Sequence, residues 1–340
     1  MYSICHLYLQ ILTEVLNMKA RIILYIAITA VLAACENEIP YNPVNQEPQL
    51  IMNAMLDAGQ TENYVYLHLS EGNTIGSVKE ATLSLYVNDR LTESLQAITP
   101  EEKFRLTTAL HPGDNIRLEA MAENGHYHVS SEVTVPHPVE SLQVDTCLSY
   151  LREYNGQKPY RQFKVTLQDS PNEKNYYQLE ILNDISYHYE DTVIIERHTE
   201  IINREDVILT DGHPTSYDDE ENGMFPTIKN KYNIFTDNRF SNSSVTLKVY
   251  TRLFDDFYAA EVYYGKVHRK HTVTVRLLSF PEIGYRYLRA LNTLGDDDYD
   301  ESLMEPISLP NNVKGGLGFV GVCSGIEYRM DLPEKTWPKY

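Results

Sequence analysis

The chain has 340 residues, and 29 Lys and Arg against 48 Asp and Glu give a formal charge of −19. A field of that sign repels nucleic acid and anionic lipid surfaces alike, so neither is an expected partner. With 26 tyrosines, one tryptophan and four cysteines, the composition favours strands over a dense disulfide framework.

In chain order the first element is an export signal. Lys19 and Arg21 supply a positive start, and Ile22 to Ala34 form an apolar run. That run is about 13 residues long, too short for the roughly 20 that a spanning helix needs. Leu32-Ala33-Ala34-Cys35 closes it as a lipobox. Residues 1–34 are therefore expected to be removed, leaving Cys35 as an N-terminus carrying a thioether-linked diacylglyceryl group and an acylated amine. At about 0.8 kcal/mol per buried methylene, two or three such chains hold a protein on a membrane almost permanently. The removed part carries Lys19, Arg21 and Glu14, net +1, so the mature chain is one unit more acidic than −19. Residues 35–47, with Pro40 and Pro43 and no periodicity, read as a lipidated tether.

About 300 mature residues exceed what one core usually serves, so two domains are expected. Residues 48–137 alternate apolar and polar in about seven runs at hairpin spacing, from Gln49–Leu56 to His126–Val135. Turn signals such as Asp57-Ala-Gly59, Asn88-Asp89 and Pro112-Gly-Asp114 divide them. This pattern predicts a mainly β fold beginning with an immunoglobulin-like or transthyretin-like β-sandwich. Pro136-His-Pro138 removes backbone donors and predicts a hinge.

Residues 138–340 predict a second β-rich domain. Its strands are expected over Ser141–Tyr150, Tyr160–Gln168, Tyr176–Tyr189, Thr192–Ile202, Ser244–Leu253 and His271–Phe280, with a Gly-rich pair between Val313 and Leu332. The polar stretch 203–240 reads as an exposed insertion. One helix is expected after Pro281, with Ile283, Tyr287, Leu288, Leu291 and Leu294 on its packed face and Gly295 as its stop.

Five short motifs invite chemistry. Gly316-Leu-Gly318-Phe-Val-Gly321 has the glycines of a dinucleotide fingerprint, yet a strand pattern follows where a helix is needed, so close backbone packing is the expected role. Gly321-Val-Cys323-Ser-Gly325 has the form of a nucleophile elbow, but no histidine lies after His271. His126 with His128, and His268 with His271, lack a third ligand at metal-site spacing. Asp296, Asp298 and Asp300 alternate as in a calcium loop, but Glu301 stands where glycine is needed. No catalytic residue, metal or cofactor is therefore expected. Cys147 and Cys323 remain in the mature chain, where they could pair or each stay reduced and buried.

Several ordered pieces carry a resemblance: Cys35-Glu-Asn-Glu-Ile-Pro40, Glu47-Pro-Gln-Leu-Ile-Met-Asn-Ala54, Ile234-Phe-Thr-Asp237 with Phe240-Ser-Asn242, Leu277-Leu-Ser-Phe-Pro281 leading to Tyr285-Arg-Tyr-Leu288, and Asn312-Val-Lys-Gly-Gly-Leu-Gly-Phe319. The chain resembles a Bacteroidota lipoprotein family known as domain of unknown function 4249. Glu36 and Glu38 resemble the acid-rich signals that send some such lipoproteins outward. The resemblance implies an outer-membrane lipoprotein working beside a TonB-dependent receptor in nutrient uptake, with no established reaction. A binding or accessory module is thus the first expectation, a surface glycan or peptide hydrolase the second, and a structural or adhesive protein the third.

Overall fold

The computed structural model describes residues 47–332 apart from 73, 97–102, 154–155, 172, 190–191, 205, 211–229, 254–267, 297–298 and 300–305. The expected signal, Cys35 and the expected tether as far as residue 46 lie outside the described residues. The chain from Glu47 onward is one compact unit.

The strands are β1 (Gln49–Asp57), β2 (Asn63–Glu71), β3 (Thr74–Gly76), β4 (Ala81–Val87), β5 (Arg90–Leu95), β6 (Lys103–Leu106), β7 (Asn115–Ala122) and β8 (Tyr127–Thr134). They continue as β9 (Ser141–Glu153), β10 (Gly156–Gln168), β11 (Tyr176–Tyr189), β12 (Thr192–His198), β13 (Ile234–Thr236), β14 (Ser244–Arg252), β15 (His268–Phe280) and β16 (Val320–Leu332). Among the described residues the one α-helix, α1 (Glu282–Leu294), precedes β16, and a short 3-10 turn spans Asp237–Arg239. The fold is mainly β, as the alternation predicts.

A nine-stranded sheet runs β12-β11-β15-β16-β1-β2-β3, with β13 added to β11 and β6 to β2. The sheet β5-β4-β7-β8 covers one end of it and the sheet β14-β10-β9 the other. Each layer follows from period-2 burial. Leu50, Met52, Ala54 and Leu56 of β1 face the first core, with Leu83, Leu85, Ile116 and Leu118 opposite. Leu179, Ile181, Val273, Val275 and Leu277 face the second, with Phe163, Val165, Leu247 and Val249 opposite. Asn88 and Asp89, at φ 51° and 62°, make the tight β4–β5 turn.

The chain passes from one core to the other at Pro136-His-Pro138, where the hinge is expected, but the long sheet crosses that point. β16 pairs in parallel with β1 over Ala54–Asp57 and antiparallel with β15 over Ser279–His271. One face of β16 therefore serves both cores, placing Val320 and Val322 in the first and Ile326, Met330 and Leu332 in the second. Between them Ser324 donates to the Pro136 carbonyl at 2.6 Å, tying the crossing to the sheet.

Three local expectations are corrected. The stretch 203–240 is not exposed at its described ends: Leu209, Ile234, Phe235, Asp237 and Phe240 are buried, because their apolar residues complete the second core and the helix cluster. The Gly-rich pair before Leu332 is one strand preceded by an irregular strap over residues 311–319. On α1 the expected Leu288 is buried and Leu291 packs beside it, but Gly284 and Asn292 are the other buried positions, in place of Ile283, Tyr287 and Leu294. A Cβ at Gly284 would sit 3.1 Å from the Phe280 ring, and Asn292 Oδ1 accepts from the Lys231 and Tyr232 amides at 2.9 and 3.3 Å.

Candidate binding surface

The outward face of the long sheet carries α1, and the helix divides it into two regions. Phe280, Leu278, Tyr176 and Cys323 lie beneath α1 with Leu288. On one side the sheet is charged, and on the other it is aromatic and apolar.

The charged side centres on Arg276 of β15. Its guanidinium reaches Asp57 Oδ2 at 2.5 Å, Glu180 Oε2 at 2.9 Å and Glu327 Oε1 at 2.6 Å, joining β1, β11 and β16. Its side chain is 13% exposed. Burial alone would make the guanidinium easier to deprotonate, but the Asp57 hydrogen bond and the three carboxylates outweigh it and push its pKa up. Two rows further, Arg197 of β12 grips Asp184 of β11 through two bonds of 2.6 and 2.8 Å, holding the Asp184 carboxyl below its usual range. The carboxylates here are thus tied to cations, and their first consequence is to lock strands from both ends of the chain together.

The other side is built from alternation on β1 and β2. Ile51 stands across from His68, and Asn53 across from Tyr66, with β6 placing Lys103 and Arg105 next to Tyr66 and Tyr64. The strap 311–319 extends this face, since Leu317 bridges to Ile51 and the Phe319 amide donates to Asn53 Oδ1 at 2.9 Å. Tyr287 of α1 stacks on Phe319 with ring centroids 3.9 Å apart and planes 3° from parallel. Met55, Tyr66 and Leu317 remain 39%, 41% and 39% exposed. Tyr64 donates to Glu62 Oε2 at 2.9 Å and has the Lys103 ammonium 4.9 Å from its ring centroid. The result is a face of aromatic, methionine and aliphatic side chains that includes Asn53 and His68, with Lys103 and the Arg105–Glu62 pair at one rim.

The three glycines of the apparent dinucleotide fingerprint make this face possible. A Cβ at Gly316 would lie 2.2 Å from the Leu50 carbonyl oxygen, and one at Gly318 2.2 Å from that of Met52. At Gly321 it would strike the Phe319 ring and the Met55 sulfur at 2.7 and 2.8 Å. Close packing of backbone on β1 is therefore the role of Gly316 and Gly318, while Gly321 makes room for Phe319 and Met55 within strand β16, where the fingerprint needs a helix.

Cys147 and Cys323 are both free and do not form a disulfide. Cys147 is exposed beside Gln162 on the outer face of β9–β10, whereas Cys323 lies under α1 on the outer face of the opposite sheet. Packed sheets are about 10 Å apart, and thiols pointing away from each other across two layers cannot approach bonding distance. Burial first, then the Asp57 charge, push the Cys323 thiol up, so it is no activated nucleophile. Among the described residues no cluster of three or more His, Cys, Asp or Glu side chains could hold a metal ion.

Alternation in Asn63–Ser70 makes Tyr64 and Tyr66 legible as outward residues, whereas nothing in the local sequence announces Arg276 as a hub of three carboxylates. A family model described as domain of unknown function DUF4249 matches residues 36–329. The chain belongs to this family. The DUF4249 match begins one residue after Cys35 and takes in both cores, the Arg276 hub, the strap and the aromatic face. No curated protein matches the chain.

Proposed function

We propose that this DUF4249 protein is a lipid-anchored accessory component of an outer-membrane uptake system, and that it docks on a TonB-dependent receptor through the face of Met55, Tyr66, Leu317 and Tyr287. The carrying observation is that face: aromatic residues and methionine with arginine at the rim are the types enriched where proteins bind proteins, and solvated surfaces seldom gather them. The lipobox at Cys35 supports the membrane address. The tether ends at Glu47, two residues before β1, and β1 itself carries Met55, so anchor and face are joined through one strand. Confinement to a membrane raises the effective concentration of two partners, and weak contacts then suffice.

Two variants test the reading. Cys35→Ala is expected to move the protein from the membrane fraction to the soluble fraction, and retention after a high-salt wash contradicts the anchor. Detergent extraction and pull-down through a C-terminal tag is expected to recover a TonB-dependent receptor, and Tyr66→Ala with Met55→Ala to reduce that recovery at least tenfold. Recovery of the protein alone, together with hydrolysis of a glycan or peptide by the purified body, favours the surface hydrolase instead.

A further inference from the structure

β8 is an edge strand of the sheet β5-β4-β7-β8, and the strap 311–319 meets that edge at one point. There the Ser130 amide donates to the Lys314 carbonyl at 3.0 Å, and the Lys314 amide donates back to the Ser130 carbonyl at 2.7 Å. On the N-terminal side of Lys314 the strap leaves the edge, because the Asn312 side chain is held by β16. Its Nδ2 donates to the Val320 carbonyl and its Oδ1 accepts from the Val320 amide, both at 2.8 Å. A groove of about 620 Å³ opens between residues 132–134 of β8 and 311–314 of the strap, a volume within the range of ligand clefts.

The β8 wall of this groove is an unused stretch of sheet edge. Backbone groups along a strand point alternately to its two sides. Val135 turns its N–H and C=O to Asp114 and Gly113, whereas Ser130 turns its pair to the strap. Glu132 and Thr134 share the direction of Ser130, so their N–H and C=O groups face the groove, and no hydrogen bond among the described residues reaches them. Lys314 is exposed, and its ammonium forms no ion pair among the described residues. The strap bars a whole sheet from docking edge to edge, so the groove admits one strand. The Ser130–Lys314 pair closes one end, and a strand entering from beyond Thr134 must stop there. The chain end that suits an unpaired ammonium is a carboxylate, and a strand that ends so runs antiparallel to β8.

We propose that this groove takes the C-terminal segment of a partner polypeptide as an added strand, with its free carboxylate on Lys314. The backbone of the penultimate residue pairs with Glu132, and that of the residue two before it with Thr134. The penultimate side chain then shares the outer face with the Glu132 carboxylate, which accepts from Asn115 Nδ2 at 2.6 Å but meets no cation, so a basic residue fits there. Its two neighbours turn toward Val133 and Val313, which favours small apolar side chains. None of the groove's lining belongs to the face of Met55, Tyr66, Leu317 and Tyr287, so the two contacts are tested apart.

The probe is the peptide Ser-Thr-Val-Lys-Val with an N-terminal fluorophore, titrated with the full chain in detergent and read by anisotropy. The free acid is expected to bind saturably and its C-terminal amide about tenfold more weakly. Lys314→Gln should lower the acid to the level of the amide and leave the amide unchanged. Methylating the backbone nitrogen of the probe's lysine removes the donor to the Glu132 carbonyl and should abolish binding. Hydrogen exchange at the Glu132 and Thr134 amides should slow when the acid is bound. Equal affinity for acid and amide, unaltered exchange at both amides, or no saturable binding of the acid at millimolar concentration overturns the proposal.

Discussion

The two cores solve the same packing problem with different materials. The first is closed by backbone: the strap 311–319 presses glycines against the β1 carbonyls, and the buried residues are almost all apolar. The second is closed by polar groups, with Asp169, Asn183, Asp206, Asp237 and Thr251 buried around its apolar centre. Volume thus governs the first core and charge the second, and variants at the two ends should fail in different ways.

The largest effect is expected at the strap. Gly318→Ala puts a Cβ against the Met52 carbonyl in a residue held at φ 121°, so unfolding by urea should show a loss of about 3 kcal/mol or more. Gly125→Ala is the control: its φ is 82° but nothing lies within 4 Å, so only the backbone term of about 1 kcal/mol should appear. Equal losses at both positions would remove the close-approach explanation.

Next comes Arg276→Ala, which leaves Asp57, Glu180 and Glu327 facing one another. Because Glu327 is 53% exposed, the expected loss is about 2–3 kcal/mol, below that of a fully buried pair. Arg276→Lys should recover only part of it, since one ammonium cannot match a guanidinium fork spread over three strands. Unchanged stability in both variants would mean that the hub is a solvated decoration.

A smaller effect lies on the acid limb of the stability profile. The Arg197 hydrogen bond holds Asp184 below the usual range, so its contribution is present above the unfolded pKa and is lost as pH falls through the native value. Arg197→Gln should flatten the acid side of the stability profile below about pH 4. The smallest change is expected for Ser324→Ala, about 1 kcal/mol, from one hydrogen bond to the Pro136 carbonyl.

Much of this architecture is legible in the sequence, because alternation and α1 depend on neighbours a few residues apart. The predicted run Asn63–Ser70 differs from β2 by one residue, and α1 ends one residue before the expected stop at Gly295. What stays hidden depends on distant partners. The parallel pairing of Asp57 with Cys323 joins the two ends of the chain, and no local pattern encodes it. The pattern predicts one strand over Thr192–Ile202, but β12 stops at His198 and Ile202 crosses to bridge Tyr250 in the other sheet. Phe235 and Phe240 are read as exposed because polar neighbours surround them in sequence, although in space they meet Tyr177. The aromatic face is half legible: Tyr64 and Tyr66 follow from period 2, but Leu317 and Tyr287 reach it only through the strap and the helix.

Site-specific photo-crosslinking in intact cells tests the docking account most directly. A crosslinker replacing Tyr66 or Leu317 should give an adduct containing a TonB-dependent receptor. The same group at Leu148, 38% exposed on the opposite sheet, should give none. Adducts from Leu148 alone, or none from Tyr66 and Leu317 in a protein that remains membrane-bound, would contradict the account.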